Sequence, residues 1–300
     1  MNTRLLLHST TGNTRLVARY AAAQFKARGH AVKTHDIVGR PEPTSLDDVD
    51  LLWVACPTMY FRPTLAMERF IARLPPLPPG EQRPAWLLGT CMGEPGAHFA
   101  LLAEQLAYKG WIAVAAHWVL SPSNYPTHLA ACAPLQFAAG LRPRLDGLSR
   151  KLRMLWWSIW PSGDPDELDR RGLDQALDAL ERQLSDPDLD AAPQPDDLNH
   201  GIPTCNATGR LFPKHLVDAM VGIRIHPEPC TACGTCVKLC PVSIITQDDE
   251  DAVPRVGTGC TGCFACYNHC DDHAISAIAT PAKVGRYHGP TDAMRRLFRT

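Results

Sequence analysis

The chain has 300 residues, 45% hydrophobic and 20% charged, with a net charge of −1. That balance is ordinary for a globular protein, and the length predicts two modest domains. No apolar run is long enough to span a bilayer, and no charged leader precedes an apolar stretch with a cleavage site, so the expected location is the cytoplasm. Twelve cysteines in that setting argue for metal or redox chemistry rather than structural disulfides.

In chain order, 4–8 reads as a short apolar strand. Residues 13–28 have helical spacing, with Leu16, Val17, Tyr20, Ala21 and Phe25 on one face and Gly29 ending the helix. Strands are expected at 31–37, 51–55, 85–89 and 111–120. Helices are expected at 64–74, stopped by Pro75-Pro76, and at 97–109, closed by Gly110. Strands alternating with helices predict a parallel sheet with helices on both faces. Further helices are expected at 127–139 and 145–160.

Charge is uneven along the chain. Residues 1–160 carry a net +7, 161–204 a net −9 and 205–300 a net +1. The middle stretch is the natural linker candidate, acidic and Pro-rich. Within it, 168–184 has a helical apolar stripe of Leu173, Ala176, Leu177, Leu180 and Leu184. The expected division is a first domain over 1–160, a linker with a helix over 161–204, a second domain over 205–282 and a basic tail over 283–300.

The second domain holds the one internal repeat. Its first run is Cys230-x2-Cys233-x2-Cys236-x3-Cys240-Pro241, and its second is Cys260-x2-Cys263-x2-Cys266-x3-Cys270-Asp271. Three cysteines at two-residue gaps wrap a tight loop around three corners of an iron–sulfur cube. The fourth points away and reaches the other cube. Two [4Fe-4S] clusters are therefore expected. Cys230, Cys233, Cys236 and Cys270 would hold one, and Cys260, Cys263, Cys266 and Cys240 the other. Zinc favours well-separated pairs of close cysteines and fits this spacing poorly. Asp271 stands where the first run has a proline. As a solvated residue it would leave ligation intact. Near the sulfurs it would lower the potential. Cys56, Cys91, Cys132 and Cys205 show no ligand spacing. The doubled run resembles the bacterial two-cluster ferredoxin module over about 222–280, a small α+β unit with flanking strands near 242–245 and 274–278.

The turn after the first strand reads Ser9-Thr10-Thr11-Gly12-Asn13-Thr14 and opens a helix. Hydroxyls and backbone N–H groups at a helix N-terminus form an anion site. This turn is similar to the phosphate loop of flavodoxins. The resemblance implies a flavodoxin-like, doubly wound α/β fold, a five-stranded parallel sheet in the order 2-1-3-4-5. It also implies FMN, with the phosphate on Ser9, Thr10, Thr11, Gly12, Asn13 and Thr14. The loop after the third strand (Thr58, Met59, Tyr60, Phe61) and the loop after the fourth (Thr90, Cys91, Met92, Gly93, Gly96) would then meet the flavin ring. Tyr60, or else Phe61, would stack on it. Both lie at strand C-terminal ends, where open α/β sheets bind ligands.

The two halves together resemble a family of flavodoxin–ferredoxin fusion proteins. Pro122-Ser123-Asn124-Tyr125 and Gly93-Glu94-Pro95-Gly96 are similar to short motifs of that family. The implied function is electron transfer between FMN and the two clusters, with protein redox partners as donor and acceptor. Two alternatives stand beside it. One is a flavin-dependent reductase with the clusters as an internal wire, although His98, His117 and His128 form no acid–base pair by spacing. The other is a cluster-bearing sensor whose flavodoxin-like half is a docking surface without flavin.

The segment Trp156-Trp157-Ser158-Ile159-Trp160 invites peripheral membrane contact, but packing against a domain or partner is the preferred reading. The tail arginines come with no nucleic-acid motif, so no nucleic-acid partner is expected.

Overall fold

The computed structural model describes residues 1–38, 45–126, 165–185, 188–198, 202–278, 280 and 285–299. The expected helices at 127–139 and 145–160, the Trp156–Trp160 region, Cys132 and His128 lie outside the described residues.

The first half is built on strands β1 (Asn2–Leu7), β2 (Ala31–Asp36), β3 (Leu51–Met59), β5 (Arg83–Cys91) and β6 (Trp111–Leu120). They pair in parallel in the order β2-β1-β3-β5-β6. Counting parallel strands alone, this is the expected order 2-1-3-4-5. The short β4 (Arg62–Pro63) is an addition that folds back antiparallel on the end of β3. Local periodicity gave no sign of it, because a two-residue strand exists only through its partner.

The inner strands β1, β3 and β5 are largely apolar on both faces, as burial between helix layers requires, while the edge strand β2 leaves Lys33 and Thr34 exposed. Leu5, Leu7, Leu51, Trp53 and Trp86 face α1 (Asn13–Ala27). Their neighbours Leu6, Leu52, Val54 and Leu87 face α2 (Leu65–Arg73) and α3 (His98–Ala107). The alternation is the two-residue period of a strand. Thr64 caps α2 by accepting a hydrogen bond from the Met67 N–H.

The acidic segment contributes α4 (Glu167–Ser185) to the α1 side of the sheet. Its stripe Leu173, Leu177, Leu180 and Leu184 is buried in the same core. Burying each such leucine stabilises by about 1.5–3 kcal/mol. Its carboxylates meet the basic excess of the first half. Arg28 pairs with Asp178 and with Glu181, and the Tyr20 hydroxyl donates to Asp174 at 2.8 Å.

Next come α5 (Pro203–Leu211) and α6 (Val217–Val221), then a small cysteine-bearing unit. There β7 (Arg224–Ile225) pairs with β10 (Ile275–Ser276), and β8 (Ile245–Thr246) pairs with β9 (Arg255–Val256), both antiparallel. Two short helices, α7 (Thr235–Leu239) and α8 (Ala265–Asn268), follow the two cysteine loops. The chain returns to the large sheet through α9 (Asp292–Leu297), where Met294 and Phe298 are fully buried beside α1. Among the described residues no helix is long and apolar enough to cross a membrane.

The two halves share a core. Met59 and Leu65 pack with Val217, Val221, Phe264 and Tyr267. A buried ion pair anchors the junction: Arg62 donates from Nε and Nη2 to the Glu68 carboxylate at 2.8 and 3.0 Å. The same guanidinium donates to the Gly209 carbonyl of α5 at 3.0 Å. A β-carbon at Gly209 would come within 2.0 Å of the Phe61 carbonyl oxygen, so only glycine fits there.

Candidate functional site

The cysteine runs repeat in backbone as well as in spacing. Ala232 and Gly262, Gly234 and Phe264, and Ser243 and His273 occupy equivalent places, and all six have positive φ between 53° and 68°. Four of them are not glycine, and holding such residues in the left-handed region costs of order 1–3 kcal/mol each. Four of the turns lie within the two runs, and the Ser243 and His273 turns follow the fourth cysteine of each. Ser243 and His273 also donate equivalent N–H bonds to the Cys240 and Cys270 carbonyls, both at 3.2 Å.

Cys240 of the first run lines one cavity with Cys260, Cys263 and Cys266 of the second. The rest of its lining is mostly apolar, Ile223, Val242, Ile245 and Phe264 among it. Four thiols around a mostly apolar hollow are the donor set an iron–sulfur cube needs. Among the described residues, no group of three His, Cys, Asp or Glu side chains is arranged to hold a single metal ion. Burial pushes the Cys263 thiol up to about 12 and raises Cys260 and Cys266 as well. Cys236 rises to about 11 for the same reason, while hydrogen bonding from Thr235 lowers Cys233. Buried thiols must lose protons to ligate, so loading this site releases protons. Cys233 is exposed, whereas Cys263 and Cys266 are buried. Asp271 is exposed to solvent.

The six residues Ser9 to Thr14 lie at the C-terminal end of β1. Gly12 has φ 101° and stands before α1, whose N-terminus has no side-chain cap. The start of the helix, at Asn13 and Thr14, is where an anion would meet its N–H groups. The side chains make a tight frame. Ser9 Oγ accepts from the Arg15 N–H at 3.2 Å, and Thr14 and Thr90 share a hydroxyl hydrogen bond at 2.7 Å. Asn124 Nδ2 donates to Thr10 Oγ1 at 2.7 Å, and Asn13 Nδ2 donates to the Pro122 carbonyl at 3.2 Å. The Pro122–Tyr125 element thus closes on the first loop. The donors and the absence of a carboxylate among these six residues fit a phosphate.

The two ring loops meet each other. The Ala97 N–H donates to the Phe61 carbonyl at 2.9 Å, and a β-carbon at Gly96 would come within 2.5 Å of Phe61 Cβ. Tyr60 and Phe61 both have positive φ, a strained turn in two aromatic residues. The Tyr60 ring stacks on Phe212, with centroids 4.6 Å apart and planes at 10°. Its edge meets Tyr125, and Tyr125 meets Phe264 at 4.8 Å. Met59 is buried in the shared core, and Thr58, Met92 and Gly93 are half-buried. Cys91 Sγ donates to the Gly93 carbonyl at 3.4 Å.

Behind the ring loops lie two histidines. His98 bonds Thr58 Oγ1 through Nδ1 at 3.0 Å, with Nε2 3.7 Å from Cys56 Sγ. His8 shares a 2.7 Å hydrogen bond with Thr64 Oγ1. Burial lowers both histidines to about 3 and pushes the Cys56 thiol up to about 12, so all three are neutral. Their spacing in sequence gave no signal of this grouping. Nor did it mark Tyr287 or His269, which reach the first loop at Asn13 and at the Thr10 carbonyl.

Residues 222–271 match the 4Fe-4S dicluster domain family. This module carries two [4Fe-4S] clusters and supports an electron-transfer role. Three solved structures show likeness to the first half. An archaeal flavodoxin is 20% identical, with 46% of this chain and 95% of that one covered, at a TM-score of 0.33. The Streptococcus pneumoniae TIGR4 flavodoxin is 13% identical, covering 61% and 99%, at 0.39. The two-electron reduced Megasphaera elsdenii flavodoxin is 23% identical, covering 42% and 91%, at 0.34. No curated protein matches the chain. The flavodoxin-like fold of the first half rests on its own strand order.

Proposed function

We propose that the chain relays electrons between FMN at the C-terminal edge of the sheet and the two clusters. The observation that carries this reading is the contact of a ring loop with a cysteine loop. A β-carbon at Gly262 would come within 2.5 Å of the Tyr60 hydroxyl oxygen, and Gly262 lies between Cys260 and Cys263. Tyr125 and Phe264 make a second contact across the same seam. A flavin ring on the 58–61 loop would therefore be a neighbour of the Cys260 cluster.

In this reading Cys260, Cys263, Cys266 and Cys240 hold the inner cluster. Cys230, Cys233, Cys236 and Cys270 hold the outer one, whose exposed Cys233 faces a redox partner protein. The Ser9–Thr14 loop binds the phosphate, and the 58–61 and 90–96 loops position the ring. When bound, FMN supplies exchange between two-electron and one-electron steps. The chain's residues bind, orient and keep water from the inner seam.

The closure of Phe61 on Gly96 favours a second reading, a cluster protein whose sheet is a docking surface only. Anaerobic purification with cofactor extraction separates the two. The relay expects about eight irons and about one FMN per chain. A full iron content with no flavin, even after incubation with FMN, would leave the docking-surface reading.

A further inference from the structure

The C-terminal segment crosses the proposed phosphate loop. Arg286 lies over the Tyr267 ring at 4.3 Å and donates to the Ile275 carbonyl at 3.2 Å. Tyr287 then bridges the two halves of the molecule. Its N–H donates to Asn268 Oδ1 at 2.9 Å, and its hydroxyl donates to Asn13 Oδ1 at 2.8 Å. Gly289 and Pro290 lie directly on the loop. A β-carbon at Gly12 would come within 3.1 Å of Pro290 Cδ, and one at Gly289 within 3.1 Å of the Thr11 carbonyl oxygen. Beyond the crossing, Met294 and Phe298 are sunk in the core against α1, and Phe298 meets Tyr20 edge-on at 5.5 Å.

The anchoring is unequal. The α9 end is held by buried apolar side chains. The crossing itself is held by polar contacts, the Tyr287 bonds to Asn268 and Asn13 among them. Asn13 is committed on both sides: Oδ1 accepts from Tyr287 while Nδ2 donates to the Pro122 carbonyl. Its amide cannot turn its Nδ2 donor toward an incoming anion while both bonds stand. The moored helix α9 also brings a cation to the crossing. Arg295 Nε donates to the Pro290 carbonyl at 3.1 Å, with Nη2 3.8 Å from a β-carbon placed at Gly289.

We propose that residues 285–291 form a strap that lifts from the Ser9–Thr14 loop to admit the phosphate of a flavin mononucleotide, an inference that rests on the flavin reading above. Opening breaks the Tyr287–Asn13 bond and lifts Gly289 and Pro290 off the loop, uncovering its hydroxyl and N–H donors for the phosphate, while Phe298 and Met294 keep the far end moored.

The test uses the full chain with its clusters, under anaerobic conditions. FMN uptake is followed by quenching of flavin fluorescence after rapid mixing, in wild type and in Tyr287→Phe. Hydrogen exchange of the 285–291 amides is followed with and without FMN, and with riboflavin, which lacks the phosphate. The strap predicts uptake about fivefold faster in Tyr287→Phe, from loss of one hydrogen bond. It also predicts faster exchange at Tyr287 on saturation with FMN and none with riboflavin. Uptake by the variant alone also supports the strap. Equal uptake rates with unchanged exchange would overturn the strap and leave the flavin reading standing. Acceleration of exchange by riboflavin would overturn it too. Failure of both proteins to bind FMN, with iron content intact, would overturn the flavin reading and the strap with it. Should Tyr287→Phe fold poorly, Pro290→Ala loosens the same crossing without touching the Tyr287 hydroxyl, and the same faster uptake is expected of it.

Discussion

The Tyr60 hydroxyl stands directly against Gly262, with space for a hydrogen but not for a methyl group. Gly262 also has φ +64°, and Val217 and Val221 close its other sides at 2.9 and 3.1 Å from a β-carbon. Gly262→Ala therefore meets strain and a clash together. We expect a loss of about 1–3 kcal/mol, what a side chain in that conformation costs, read as a lower thermal midpoint. We also expect slower flavin-to-cluster transfer as the ring loop is pushed from the cysteine loop. An unchanged midpoint would show that the two loops are not packed as described.

The cysteine that serves each cluster from afar can be told apart by deletion. Cys240 shares its cavity with Cys260, Cys263 and Cys266. Cys240→Ala should therefore damage the inner cluster first, and Cys270→Ala the outer one. Electron paramagnetic resonance of the reduced variants checks this. The opposite pattern would refute the crossed ligand sets.

Arg62 and Glu68 hold the seam between the halves. Both side chains are nearly buried, at 4% and 6% exposure. Glu68→Gln leaves the guanidinium without its charge partner and should cost about 3–5 kcal/mol, measured by denaturant unfolding. Replacing both by apolar residues of similar volume should cost much less.

How much of this was legible in sequence divides along one line. The five parallel strands, α1 to α3 and the Leu stripe of α4 are local patterns, and periodicity shows them directly. The cysteine spacing shows two clusters because the ligand geometry is itself local. The seam was not legible. Nothing near Arg62 in the chain announces the Gly209 carbonyl, and nothing in a six-residue helix shows that Phe298 fills a hole beside Tyr20. The same holds for Tyr60, whose aromatic ring suggested flavin stacking and whose nearest aromatic partner is Phe212. An aromatic side chain states that it will be covered, not by what.

Stability should fall in mild acid. Burial holds His8 and His98 near 3, far below an ordinary histidine, so both remain neutral in the folded chain. The unfolded chain takes up two protons there as pH drops below about 6.5, and the folded chain does not. The contribution is therefore complete above about pH 6.5 and is lost progressively toward pH 3, at up to about 1.4 kcal/mol per pH unit for each histidine. His98→Gln should flatten the dependence of the thermal midpoint on pH between about 5 and 7. An equally steep profile in the variant would contradict the buried neutral state.

The most direct test of the relay is transfer within one chain. FMN in the anaerobic, cluster-loaded protein is reduced by a light pulse, and cluster bleaching is followed over a tenfold range of protein concentration. The relay predicts first-order bleaching at a rate independent of concentration. Clusters that stay oxidised beside reduced FMN, or a rate that rises with protein concentration, would contradict it.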